Sequence, residues 1–190
     1  MSAILKNILL TGEPGVGKTT IIKMVLEELP VIAAGFFTEE IHAGKTTKGY
    51  MLTTLTGEEM VMAHVNKKST YKVGKYGVDV KMFEKVGVPI LEEALKQQAP
   101  LIVVDEIGKM ECFSKHFRDV IVRCLDSSIP VLGTLQNFAS PLVNCVLNRD
   151  DVVLIQVTPE NRNALAGNIS ELVKRFIKPV AKKKKPKGRR

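Results

Sequence analysis

The residues best suited to do chemistry form a glycine-rich segment near the start of the chain. Residues 12–19 read GEPGVGKT and follow an apolar run at residues 8–10, which is the phosphate-loop pattern G-x-x-x-x-G-K-[ST] between a strand and a helix. Its glycines let backbone N–H groups turn towards an anion, and the helix that follows adds its positive end. In this pattern Lys18 reaches the β- and γ-phosphates and the Thr19 hydroxyl binds Mg²⁺. A plain glycine turn is the alternative, and the complete pattern disfavours it.

A pair of acids forms the second candidate motif. Residues 101–104 read LIVV, as a buried parallel strand does, and Asp105 and Glu106 follow directly. Asp105 can hold Mg²⁺, and Glu106 can orient or deprotonate a water that attacks the γ-phosphate. Two acids can also simply end a strand in a loop. Beside a complete phosphate loop, the catalytic interpretation is favoured.

Rapid hydrolysis would need one more cation near the γ-phosphate. Lys109 is the nearest candidate in the sequence, and Arg162 is another. The guanidinium of Arg162 could instead stack on the base, and a surface salt bridge is the alternative for both residues. If neither cation reaches the γ-phosphate, turnover should be slow. No base-reading motif is visible, so we expect broad base specificity.

Composition indicates one globular domain in a reducing compartment. The 190 residues are 45% hydrophobic, and no apolar run approaches the roughly 20 residues that span a bilayer. No signal peptide pattern opens the chain. The three cysteines, Cys112, Cys124 and Cys145, lack C-x-x-C spacing, which predicts reduced thiols and a cytoplasmic protein. Cys112 and His116 are four residues apart but lack further ligands for a metal site.

The net charge of +8 lies in the C-terminal segment. Residues 178–190 contain six Lys, two Arg and no acid, which leaves residues 1–177 with 20 basic and 20 acidic residues. We therefore predict a phosphate-loop domain at 1–177 and a disordered basic tail at 178–190. The tail could be a nuclear import signal that an import receptor recognises, an anchor for nucleic acid or an anionic surface without sequence preference, or a solvated extension. These alternatives stay open.

Alternating strand and helix patterns predict an α/β fold, with a mostly parallel sheet covered by helices on both faces. Short strands without intervening helices predict an antiparallel β patch around residues 35–65. A helix over 80–95 is predicted with a break near Gly87 and Pro89. The remaining predicted strands are 4–11, 31–41, 46–55, 59–65, 101–105, 131–135 and 152–157, and the remaining predicted helices are 19–29, 114–126, 141–147 and 160–176.

The adjacent acids also predict the position of one strand in the sheet. In phosphate-loop proteins, a catalytic Glu next to the metal-binding Asp accompanies an extra strand between the phosphate-loop strand and the acidic strand. Residues 131–135 would supply that strand here. Thr134 would then lie near the γ-phosphate at the carboxyl edge of the sheet, where open α/β sheets bind ligands. An ordinary strand-end hydroxyl is an equally good interpretation of Thr134.

Several segments together carry a family resemblance. DEIGKME at 105–111, GFFTEE at 35–40, VGKYGVD at 73–79 and TPENRN at 158–163 occur in order around GEPGVGKT. Over residues 4–176 the chain resembles the THEP-type nucleoside-triphosphatases. The resemblance implies a phosphate-loop fold related to RecA-like ATPases and nucleotide kinases, and slow, Mg²⁺-dependent hydrolysis of ATP, GTP and other nucleoside triphosphates. It also implies nucleotide contacts at Gly12, Glu13, Pro14, Gly15, Val16, Gly17, Lys18, Thr19, Leu101, Ile102, Val103, Val104, Asp105, Glu106, Ile107 and Gly108.

One position departs from the family pattern, and two other functions remain open. Lys48 precedes Gly49 and Tyr50 where the family often has Arg, and Lys lacks the bidentate fork of Arg. A kinase of a nucleotide or another small acceptor is the first alternative, although no Arg-rich lid is visible. A nucleotide-dependent adaptor that reaches nucleic acid through the basic tail is the second.

Overall fold

Nine strands form a single mixed sheet in this computed structural model, which describes residues 5–177. The strands are β1 (Asn7–Thr11), β2 (Ala34–Ala43), β3 (Thr46–Thr54), β4 (Glu59–His64), β5 (Lys72–Val73), β6 (Tyr76–Val78), β7 (Ile102–Ile107), β8 (Val131–Leu135) and β9 (Val152–Gln156). Their order across the sheet is β5-β6-β4-β3-β2-β7-β8-β1-β9. Five neighbouring strands pair in parallel, in the order β2, β7, β8, β1 and β9. On the other side of β2 the sheet continues with β3, β4, β6 and β5, which pair antiparallel.

The parallel strands are buried on both faces because helices cover each side. The helices are α1 (Lys18–Glu28), α2 (Val80–Lys96), α3 (Lys115–Asp126), α4 (Pro141–Leu147) and α5 (Arg162–Lys174), with a short 3₁₀ helix at Glu111–Phe113. Side chains alternate between the faces of a strand. In β1, Ile8 and Leu10 therefore pack in the core beneath α1 and α5, while Leu9 packs in the core beneath the other three helices. None of the helices in residues 5–177 combines the length and apolar composition needed to span a membrane.

The antiparallel extension starts at β2, which pairs in parallel with β7 on one side and antiparallel with β3 on the other. Gly35 permits this close approach, because its φ is +140° and a Cβ there would lie 1.8 Å from the carbonyl oxygen of Val103. The opposite end of β2 projects beyond β7 together with β3, and this projection forms one wall of the ligand cleft described below. The β patch predicted around residues 35–65 is present, and it extends further, to β5 and β6, which the sequence patterns did not predict.

The predicted helix over 80–95 is confirmed, but the predicted break is wrong. Helix α2 runs unbroken from Val80 to Lys96. Pro89 lies on its exposed face, so solvent can satisfy the carbonyl that loses its N–H partner. Gly87 is buried instead against the ring of Phe83, where an added Cβ would come within 2.4 Å. Asp79 caps the helix by accepting a hydrogen bond from the Met82 N–H at 3.2 Å.

The predicted α/β phosphate-loop fold and the predicted position of the strand at 131–135 are both confirmed. Strand β8 at 131–135 lies between β1 and β7, as the adjacent acids led us to expect. Most boundaries differ from the predictions by a few residues, and the largest differences are the starts of β1 at Asn7 rather than residue 4 and of β2 at Ala34 rather than residue 31. The prediction of a disordered tail at 178–190 lies outside the described residues, as does residue 4 of the first predicted strand.

Candidate functional site

The glycine-rich segment 12–19 forms a loop between β1 and α1 at the carboxyl edge of the sheet. Gly12, Gly15 and Gly17 have φ values of +141°, +74° and +110°, which residues other than glycine rarely adopt. Gly12 also has no room for a side chain, because a Cβ would lie 2.6 Å from the carbonyl oxygen of Val157. Gly17 caps α1, so the N–H groups of the first helical turn face the space inside the loop. This geometry suits an anion.

Lys18 spans the inside of the same loop. Its Nζ donates to the carbonyl oxygens of Gly12 at 2.8 Å and Glu13 at 3.0 Å. Its positive charge also opposes the rise in pKa that burial causes at both Asp105 and Glu106. The predicted cation and the two predicted acids are therefore close together, although about ninety residues separate them in the chain.

Asp105 lies in strand β7 and is nearly inaccessible to solvent, with 2% of its surface exposed. The Thr134 hydroxyl on neighbouring β8 donates to its Oδ1 at 2.7 Å, while its buried Oδ2 has no hydrogen-bond partner. Burial raises the pKa of Asp105, and the hydroxyls of Thr19 and Thr134 and the charge of Lys18 oppose that rise. An unpartnered buried carboxylate oxygen is costly, so this atom is a strong candidate to meet a ligand.

A divalent cation fits these oxygen donors. Carboxylate and hydroxyl oxygens suit the hard ion Mg²⁺, which commonly takes only one or two protein ligands beside substrate phosphates and water. Asp105 Oδ2 and the Thr19 hydroxyl are the available pair. Within residues 5–177, no group of three or more His, Cys, Asp or Glu side chains is arranged to hold a metal.

Glu106 follows Asp105 and is only partly exposed at the cleft wall. Burial raises its pKa, the negative charge of Asp105 raises it further, and the charge of Lys18 opposes both effects. A carboxylate with a raised pKa is a better proton acceptor than an ordinary one, provided that it is ionised. Glu106 therefore has the electrostatic setting of a general base.

Glu111 is a third carboxylate at this edge, and we did not predict it as a site residue from the sequence. Its side chain is 3% exposed, and its Oε2 accepts a hydrogen bond from the Gly108 N–H at 3.1 Å. A Cβ on Gly108 would lie 2.9 Å from Glu111 Oε2 and 3.4 Å from Glu106 Cδ, so both carboxyl groups lie against this glycine. Burial, and secondarily the charge of Glu106, raises the pKa of Glu111 to about 8. An acid between Met110 and Cys112 in an otherwise apolar stretch was the available sequence signal.

These groups line a cleft of about 760 Å³ between the loop and the projecting antiparallel strands. Glu39 and Glu40 from β2 and Tyr50 from β3 form the opposite wall. Burial and the charge of Glu40 raise the pKa of Tyr50 to about 12, with a smaller contribution from Glu106. Lys23 binds Glu39 at 2.7 Å. The sequence patterns did not predict this wall. The cleft is also lined by the residues Thr38, Val73, Met110, Gln136, Asn137 and Gln156.

The remaining predicted site residues lie at varying distances from the cleft. Lys109 lines it and is exposed, with its Nζ 5.8 Å from the centre of the Phe138 ring. Arg162 does not line it, but lies behind the loop at the start of α5, where its guanidinium donates to the Val16 carbonyl at 3.5 Å. Other predicted nucleotide contacts do not line the cleft, because these residues pack in the sheet or behind the loop: Val16, Leu101, Ile102, Val103, Val104, Ile107 and Gly108. Lys48 is also absent from the lining, whereas nearby Tyr50 is part of it.

Comparison with known proteins agrees with this arrangement. The family model described as NTPase matches residues 7–170. The chain is 45% identical over 168 residues to the nucleoside-triphosphatase THEP1 of Thermotoga maritima, covering 88% of this chain and 95% of the relative. It is 37% identical to the human cancer-related nucleoside-triphosphatase, covering 86% and 94% of the two chains. The crystal structure of THEP1 from Aquifex aeolicus superposes with a TM-score of 0.80 at 39% identity, covering 88% of this chain and 98% of that one.

Proposed function

The chain belongs to the NTPase family and is a nucleoside-triphosphatase of the THEP1 type. From this premise we propose that it hydrolyses ATP, GTP and other nucleoside triphosphates to the diphosphate and phosphate in the cleft between the 12–19 loop and the projecting strands. The observation that carries the proposal is the convergence of Lys18, Asp105 and Glu106 at one edge of the sheet. A cation, a metal-binding carboxylate and a base are the groups that hydrolysis of a γ-phosphate requires.

The 12–19 loop binds the β- and γ-phosphates in this mechanism. Its inward N–H groups and the first turn of α1 offset the negative charge. Lys18 exchanges its present acceptors, the carbonyls of Gly12 and Glu13, for phosphate oxygens. Since the ammonium already spans the loop interior, this exchange requires a change of partner rather than a rearrangement of the backbone.

Glu106 acts on the attacking water. It accepts a proton from, or orients, a water in line with the bond to the leaving diphosphate. Its setting between Asp105, which raises its pKa, and Lys18, which lowers it, leaves it basic but able to ionise. Glu111 lies beneath it against Gly108 and fixes the turn that follows Glu106.

The Thr19 hydroxyl and Asp105 Oδ2 hold Mg²⁺ in this proposal. The bound ion would offset the charge that develops on the β- and γ-phosphate oxygens. Thr134 keeps the other oxygen of Asp105 occupied and so directs Oδ2 towards the cleft. In this proposal Thr134 positions Asp105 and does not contact the γ-phosphate directly.

Turnover should be slow and the base specificity broad. Lys109 is the one predicted activating cation that lines the cleft, and its ammonium lies near the Phe138 ring rather than across the loop. Arg162 lies behind the loop. Without a cation held at the γ-phosphate, the rate lacks the acceleration of about 10³–10⁵-fold that an arginine finger supplies in other phosphate-loop enzymes.

The deciding experiment measures phosphate and diphosphate release from ATP and GTP with Mg²⁺. We expect equal amounts of both products from the wild type, and retained binding of a nonhydrolysable analogue without product release by Glu106→Gln. Lys18→Ala should lose both binding and release, whereas the exposed Glu59→Gln should match the wild type. Binding of nucleotide by the wild type without release of phosphate would refute hydrolysis. Transfer of phosphate to an added monophosphate in excess of release would show a kinase instead.

A further inference from the structure

A second cavity adjoins the cleft and has the opposite electrostatic character. Its volume is about 650 Å³, and three cations line it: Lys72, Lys109 and Arg118. No carboxylate from residues 5–177 lines it. The neighbouring cleft, by contrast, is lined by several acids, among them Asp105 and Glu106. A cavity with cations and no acid attracts an anion.

The three cations have no acidic partners in the described part of the chain. Arg118 is the most informative of them because it is only partly exposed. The described chain gives its guanidinium a single acceptor, the carbonyl oxygen of Cys112, which leaves most of its five N–H donors available. A cation partly sheltered from water without a counter-ion is unfavourable, and an anionic ligand would relieve that cost at Arg118.

Aromatic rings supply the apolar part of the same cavity. Phe113 and Phe138 are both half-buried and both line it. Phe113 is supported from behind by Tyr71, with ring centres 5.2 Å apart. Exposed aromatic faces of this kind stack on planar rings such as nucleobases. The lining therefore suits a ligand that combines an anionic group with a planar aromatic body.

The position of the cavity separates it from the phosphate loop. None of residues 12–19 lines it, whereas Lys109 and Val73 line both the cavity and the cleft. Phosphates bound by the loop would therefore not fill it. The basic segment at 178–190 has the same sign of charge as the lining, so charge complementarity argues against that segment as the occupant.

We propose that this cavity binds a second small ligand, with the chemistry and size of a nucleoside monophosphate, while the cleft holds the triphosphate. The anionic group would lie among Lys72, Lys109 and Arg118, and the planar body would pack against Phe113 and Phe138. The volume of about 650 Å³ falls within the range of about 300–1,000 Å³ that is common for small-ligand sites. Because Lys109 borders both spaces, the second ligand adjoins the bound triphosphate.

The test is calorimetric titration of AMP and GMP into the full chain, already saturated with a nonhydrolysable ATP analogue and Mg²⁺. We expect one monophosphate to bind per chain, at least about tenfold more tightly than inorganic phosphate, which lacks the planar body. Arg118→Gln should weaken that binding by about tenfold or more, since a charge-assisted hydrogen bond is lost. Lys115→Ala is the matched control, because it removes an exposed charge from the same helix outside the cavity.

Several results would overturn the proposal. The proposal fails if neither monophosphate binds to the saturated protein, or if both compete with the analogue for the cleft. Equal effects of Arg118→Gln and Lys115→Ala would also refute it, as would equal affinity for inorganic phosphate. Lys72→Ala, at an exposed position in strand β5, provides the same comparison if Arg118→Gln does not fold. Affinity for the ATP analogue should stay unchanged in all these variants, so a failure here is distinct from a failure of the hydrolase proposal.

Discussion

Replacing Glu111 with Gln tests how strongly this fold disfavours a negative charge beneath the cleft. Glu111 is 3% exposed, and burial raises its pKa from the ordinary value of 4.5 to about 8. The folded protein therefore keeps a proton on this group between those two pH values, while the unfolded chain releases it. Over that interval stability falls as pH rises, by about 1.4 kcal/mol per pH unit. Below pH 4.5 and above about pH 8 the group adds no slope.

The expected magnitude follows from this slope. Between pH 6 and the pKa of about 8 the wild type should lose about 3 kcal/mol, since about two pH units at about 1.4 kcal/mol each are involved. Glu111→Gln resembles the protonated acid and still offers an oxygen to the Gly108 N–H, so it should fold normally and lack this loss. The stability difference between the variant and the wild type should therefore widen by about 3 kcal/mol in favour of the variant between pH 6 and pH 9.

The assay is urea unfolding of the nucleotide-free protein with a chelator present, at whole pH units from 6 to 9. Titrating groups that do not interact with Glu111 contribute equally to both proteins, so the difference between the two curves reports Glu111 and its coupling to Glu106. Glu59→Gln, at an exposed strand position, should follow the wild type at every pH. Parallel pH dependences for the wild type and Glu111→Gln would refute the reasoning, because they would mean that the buried carboxyl titrates near its ordinary pKa.

Three further predictions concern the cleft and the sheet. The acid limb of the pH dependence of kcat/KM should lie above the ordinary range for a glutamate, because hydrolysis needs ionised Glu106, whose pKa is raised. Steady-state assays at closely spaced pH values check this, and a limb near pH 4 contradicts it. Lys109→Ala should keep kcat close to the wild-type value, as Lys115→Ala should, because the Lys109 ammonium lies near the Phe138 ring and is not held at the γ-phosphate. A kcat about 10²-fold lower in Lys109→Ala alone would contradict this and show that the ammonium stabilises the transition state. Gly35→Ala should cost more than about 3 kcal/mol in unfolding experiments, through a clash with backbone at 1.8 Å added to an unfavourable φ. Gly57→Ala, with φ of +92° but open space around it, should cost only about 1–2 kcal/mol.

Local patterns were sufficient for much of the fold. The alternation of apolar strands and amphipathic helices predicted the parallel sheet, and the adjacent acids at 105 and 106 predicted β8 between β1 and β7. The predicted break in α2 failed for a physical reason. The cost of Pro89 depends on whether its carbonyl partner can reach water, and its exposure on the helix surface is a tertiary property.

The sequence by itself determined the groups that act at short range: a loop whose glycines can adopt positive φ, a lysine and a threonine at its end, and two acids after a buried strand. Spacing along the chain fixes such groups because a turn or strand end positions them locally. Tertiary structure decided everything that depends on burial and on distant segments meeting. It placed Thr134 on Asp105, isolated Glu111 from water, and assembled the second cavity from Lys72, Phe138 and α3. A pKa or a counter-ion deficit depends on all neighbours at once, and only the folded chain specifies those neighbours.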